Sequence, residues 1–196
     1  MTKGGRKKSL IVEEARTLFA RYGLEKTTTE DIAGAVGMQK GALYYYFRSK
    51  EEIFTEVICA EIQNLKAVIL GALNEQQSAG ESLTSFVMTR MKYLRQKADE
   101  YTTVKDEYLK HYEFIEKLRA RHSKWEIDTL RSILDKGVKC NEFTVSNTRL
   151  VAETILLALK GLEYTWATGR THTQLSKQMP ILLDILLEGL NCRHRA

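Results

Sequence analysis

Residues 27–50, TTTEDIAGAVGMQKGALYYYFRSK, decide how this chain folds. Thr28 offers a hydroxyl to cap a helix, and Asp31, three residues on, closes a capping box and complements the helix dipole. Ile32, Ala33 and Val36 then fall on one face, and Gly37 follows, a residue able to take the left-handed conformation that ends a helix. Beyond the turn, Leu43 and Phe47 sit one helical turn apart and point inward, which sends Lys40, Tyr45 and Tyr46 outward with Tyr44 at the margin. Ser49 with Glu52 forms a second capping box. A further helix therefore opens here with Lys50 in its first turn, where free backbone amides favour a phosphate.

Two short helices hinged at a glycine and faced with aromatic and basic side chains have the form of a DNA-reading helix-turn-helix. An aromatic run at helical spacing also suits a buried hairpin corner, and charge separates the two readings. Residues 1–50 carry ten Lys and Arg against five Asp and Glu, a net of +5; subtracted from the whole-chain 30 and 25, this leaves 20 against 20 in residues 51–196. The basic excess lies entirely around the motif, where it supplies the salt-dependent part of DNA affinity through counterion release. Double-stranded DNA is the expected partner. The alternative is a basic helical interaction module without sequence-specific DNA binding, although such a helix has no need of Gly37 and Gly41.

The stretch RTLFARYGLEKTTTEDIAGAVGMQKGALYYYFRSKEEIF resembles the amino-terminal domain of TetR-type one-component repressors, and the likeness spans about residues 8 to 56. In that family a first helix packs across the reading pair; Ile11, Ala15, Leu18, Phe19 and Tyr22 supply its apolar stripe here, and Gly23 ends it. The resemblance implies that Thr28, with Thr29 beside it, lies near the DNA backbone. It further implies that Tyr44, Tyr46 and Lys50 contact phosphate while Lys40, Gly41, Ala42 and Tyr45 meet base edges. Gln39 stands where the family usually has a capping serine, and Ala42 replaces a frequent threonine. Gln39 is the poorer cap but is able to read adenine.

Composition bounds the remainder. With 196 residues and 43% hydrophobic content the chain buries a sizeable core, and the expected organisation is two domains, 1–50 and 51–196. No Pro-rich or Gly/Ser-rich linker intervenes, so a continuous helix from Ser49 to about Gln76 should join them. Further helices are expected at Ser82–Lys97, Thr102–Arg119, Ser123–Gly137, Asn147–Thr168 and Thr173–Asn191, with no period-two strand, which makes the fold all-α. Pro180 is expected in an early turn of the last helix. No segment approaches the roughly 20 apolar residues that cross a bilayer, and no signal-peptide core follows the basic amino terminus, so a cytoplasmic location without membrane association is expected. Cys59, Cys140 and Cys192 are too scattered for a disulfide framework or a zinc site, which leaves a redox-responsive regulator acting through one cysteine as a further alternative.

The last two helices are apolar around most of their circumference. Leu156, Leu159, Leu162 and Trp166 on one, with Ile181, Ile185 and Leu190 on the other, suit a four-helix seam with a second copy, or else the centre of the monomer. The resemblance implies the former, a homodimer that sets two reading heads on a palindromic operator. It also implies a small-molecule effector among the middle helices, where Phe86, Met91, Tyr108, His111, Tyr112 and Trp125 offer apolar walls with a few polar tips. No paired histidine, nucleophile elbow or phosphate-cradling glycine loop is present. Neither an enzyme nor a metal or other cofactor is therefore expected, and the implied function is a ligand-responsive transcriptional regulator acting as a repressor.

Overall fold

A computed structural model describes residues 3–100, 111–167 and 172–191, with side chains excepted at 3, 98–99, 112, 164–167 and 172–177. Nine helices occur among the described residues: α1 Lys3–Tyr22, α2 Thr29–Ala35, α3 Lys40–Tyr44, α4 Lys50–Ala72, α5 Ala79–Glu100, α6 Tyr112–His122, α7 Lys124–Lys139, α8 Thr148–Ala167 and α9 His172–Leu190. An isolated bridge between Phe143 and Asn191 is the sole extended pairing recorded among them. The fold is all-α.

The chain forms two compact units, residues 1–64 with 99–121 and residues 65–98 with 122–196. The first is built around Ile11, Ala15 and Phe19 of α1, Ile32, Ala33 and Val36 of α2, and Leu43 and Phe47. Ile53, Phe54 and Val57 of α4, together with Ile115 and Leu118 of α6, complete that core, so the expected boundary after residue 50 cuts through this unit. Phe19 meets Phe54 edge to face at 5.5 Å, an arrangement that suits the ring quadrupoles. Arg16 of α1 bonds Glu13 at 2.6 Å and faces Glu61 of α4 at 3.6 Å and Glu100 at 3.9 Å. Tyr22 departs from the expected stripe: it is exposed, with the Arg21 guanidinium 5.1 Å from its ring centroid.

The second unit is centred on Leu65 and Ile69 of α4, Leu83, Phe86, Val87 and Met91 of α5, Leu130, Ile133 and Leu134 of α7, and Ala152, Ile155, Leu156 and Leu159 of α8. Met179, Leu183 and Leu190 of α9 join it. Helix α4 ends at Ala72, four residues before the expected Gln76, and α5 starts at Ala79 rather than Ser82. The physical reason is a capping box in which the Glu81 amide donates to Ser78 Oγ at 3.1 Å and the Ser78 amide to Glu81 Oε2 at 2.8 Å. Gly80, which reads as a break, lies in the first turn and tolerates it. Gly137 is required to be glycine, because a Cβ there would come within 2.1 Å of the Phe143 ring. Pro180 sits inside α9, well beyond its first turn, because the helix begins at His172. No helix among the described residues is long and apolar enough to cross a membrane.

Candidate nucleic-acid interface

Helix α2 is fixed at both ends by its own sequence. At its start the Thr28 amide donates to Asp31 Oδ2 at 2.8 Å and the Asp31 amide to Thr28 Oγ1 at 3.1 Å, the reciprocal capping box that the sequence implies. The Thr28 hydroxyl also donates to Asp31 Oδ2, at 2.7 Å. Hydrogen bonds from Thr28 hold the Asp31 carboxyl below the usual range, those of the hydroxyl ahead of those of the amide. At its end Gly37 takes φ +63°, its amide donates to Gly34 O at 3.1 Å, and the Met38 amide donates to Ala33 O at 2.9 Å. That pair of bonds is a Schellman closure, which explains why the hinge needs a glycine.

Helix α3 follows as little more than one turn. Leu43 and Phe47 are buried to 1% exposure, so the expected inward pair anchors it. Gln39 occupies the N-cap without a side-chain cap bond, as befits a poor capping residue. Gln39, Lys40, Gly41, Ala42, Tyr44 and Tyr45 are all exposed, Tyr45 at 87%. Tyr46 is half-buried against the core and meets Tyr45 edge to face at 5.3 Å, so it props its neighbour outward.

Lys50 behaves differently from a free phosphate clamp. It opens α4, but its ammonium donates to Leu24 O at 2.5 Å and to Glu25 O at 3.3 Å. The capping box at this helix is also displaced: the Glu52 amide donates to Ser49 Oγ at 3.2 Å, whereas Glu52 Oε2 accepts from the Arg48 amide at 2.6 Å.

Sequence reasoning passed over Glu30. Its Oε1 accepts from Lys40 Nζ across the Gly37 turn, and its Oε2 accepts from the Thr29 hydroxyl at 3.0 Å. The Lys40 hydrogen bond is the main cause holding the Glu30 carboxyl below its ordinary range, and Glu30 in turn raises Lys40. Periodicity within one helix carries no sign of a pair ten residues apart that closes only after the chain has turned.

The remaining candidate residues are divided between the two units. Phe86 and Met91 are core residues of the second unit, with Trp125 half-buried against that core, while His111 belongs to the first unit, its ring 6.1 Å from that of Phe54. Tyr108 and the Tyr112 side chain lie outside the described residues. Sequence reasoning also missed Arg90, fully buried, whose Nε donates to Glu126 Oε1 at 2.6 Å and whose Nη1 donates to Glu163 Oε1. Of the seven seam residues suggested by composition, Leu156, Leu159 and Leu190 are buried within the second unit and Leu162 is half-buried against its core. Ile181 and Ile185 are exposed, and the Trp166 side chain lies outside the described set. Burial, followed by the charge of Glu56, pushes the Cys59 thiol up, which disfavours the reactive thiolate.

A short helix anchored by two buried residues, hinged at glycine to a capped partner and faced with polar and aromatic side chains, defines a helix-turn-helix protein. Residues 11–57 match the family described as bacterial regulatory proteins, tetR family. The chain belongs to that family. It is 32% identical over 138 residues to the HTH-type transcriptional regulator YfiR of Bacillus subtilis, covering 68% of this chain and 66% of the relative. It is 29% identical over 138 residues to the HTH-type transcriptional repressor KstR2 of Mycolicibacterium smegmatis, covering 68% and 65%. The aligned stretch thus spans just under two thirds of these relatives. Among solved structures, a transcriptional regulator from Cytophaga hutchinsonii superposes with TM-score 0.76 at 27% identity, covering 93% of this chain and 97% of that one.

Proposed function

We propose that the protein is a ligand-responsive transcriptional repressor that binds a palindromic operator as a homodimer and leaves it when a small molecule binds. The observation that carries this reading is the surface around α3: Leu43 and Phe47 are buried while Gln39, Lys40, Gly41, Ala42, Tyr44 and Tyr45 face outward. Helix N-terminal residues at a groove read base edges, and the flanking basic residues neutralise phosphate. Thr28, Thr29, Tyr46 and Lys50 flank this surface as backbone contacts. Repression rather than activation is supported by the name of the relative KstR2, a transcriptional repressor. Such a regulator works where the chromosome is, in the cytoplasm.

The effector reading draws on the second unit, where Phe86, Met91 and Trp125 supply apolar walls and the buried Arg90 with Glu126 and Glu163 supplies polar groups. Self-association draws on exposed apolar residues of α8 and α9, namely Leu150, Leu157, Ile181 and Ile185. The test of the function is selection of bound fragments from the source genome against excess random duplex at rising salt. A recovered inverted repeat supports the reading; no sequence that outcompetes random duplex defeats it.

A further inference from the structure

Glu30 places a carboxylate beside the amino end of α2, next to the surface that meets a polyanion. Both its oxygens are engaged, Oε1 by Lys40 Nζ and Oε2 by the Thr29 hydroxyl at 3.0 Å. Lys40 and Glu30 are both exposed, and an exposed ion pair contributes little to stability, so the fold gives scant reason for the arrangement. DNA recognition gives a better one. An ammonium has three donors; one given to Glu30 leaves two for the O6 and N7 acceptors of a guanine.

We propose that Glu30 is a positioning residue for sequence discrimination: it holds the Lys40 ammonium at the reading surface and away from phosphate oxygens, so that Lys40 adds affinity only where a base acceptor meets it. On random duplex, where that acceptor is missing, a Lys40 held on Glu30 displaces few counterions. The pair therefore weakens non-specific binding more than operator binding, and discrimination rises through a penalty on wrong sites. The inference rests on the reading of α2 and α3 as a DNA-binding head.

The experiment uses the full-length protein on its selected operator and on a scrambled duplex, each over a salt series. Preference of the wild type for the operator is measured first; its absence defeats the DNA reading, whereas its presence with an inert Glu30 defeats this inference alone. With E30Q, scrambled duplex should bind several-fold tighter, its log–log salt slope should steepen by about 0.9, and operator affinity should stay within about two-fold. E30D, which keeps the charge, should retain the wild-type slope. In a K40A background the Glu30→Gln effect should vanish. Equal changes on both duplexes with an unaltered slope overturn the proposal. So does the same tightening in the K40A background, because Glu30 would then act by repulsion without positioning Lys40.

Discussion

The ammonium of Lys50 donates to the carbonyl oxygen of Leu24 at 2.5 Å, joining the first residue of α4 to the segment that follows α1. A lysine expected to serve phosphate alone is thus part of the scaffold that presents α2 and α3. Lys50→Ala should lower stability by about 1 kcal/mol, read as a melting temperature about 2–4 °C lower, and should weaken binding to operator and random duplex by a similar factor. Unchanged melting would show that the bond adds nothing to the folded state.

What the sequence discloses about this head follows from range. The Thr28–Asp31 box, the Gly37 hinge and the inward pair Leu43 and Phe47 all rest on relationships spanning five residues or fewer, which local helical geometry dictates. Lys50 with Leu24, Glu30 with Lys40, and Arg90 with Glu126 and Glu163 close over longer separations and leave no periodic trace. In α8 the difficulty is of another kind. Leu156 is buried and its neighbour Leu157 is 72% exposed, and a helix apolar all round does not reveal which leucine faces its own core. At Ser78–Glu81 the cap is local, but the adjacent Gly80 reads as a breaker and hides it.

Asp31 links this geometry to pH. Its folded value is lowered by the Thr28 hydrogen bonds, so the carboxylate's contribution is fully present above the unfolded value of about 3.9 and is lost as pH falls through the lowered folded value. Asp31→Asn should melt below the wild type at neutral pH, and the gap should narrow as pH falls below about 4. A gap of constant size across the acid range would mean that the ionised form has no special role at this cap.

Gly41 has no internal reason to be glycine. A Cβ built there meets nothing within 4 Å, and its φ is not among the positive values. Alanine is the better helix former, so Gly41→Ala should raise stability by about 0.5 kcal/mol. If the duplex approaches the bare backbone at this point, the same methyl should weaken operator binding about tenfold, roughly 1.4 kcal/mol. Opposite signs in melting and in binding are the expected pair. Higher melting with undiminished binding would place Gly41 away from the duplex.

Adjacent positions on α8 separate a pairing surface from a core. A lysine at Leu156 would bury an unpaired charge among Ile155, Leu159 and the other residues of the second unit's core, and Leu156→Lys should therefore unfold that unit. A lysine at Leu157 or at Ile185, itself 63% exposed, meets water in a single chain and is harmless to its fold. In a homodimer that buries these side chains, the same substitution places like charges on both sides of a two-fold interface. Leu157→Lys and Ile185→Lys should keep their helical content, sediment as monomers at micromolar concentration, and bind the operator more weakly, because each head then reaches only one half-site. Dimers that persist in both variants would move the pairing surface off these two helices.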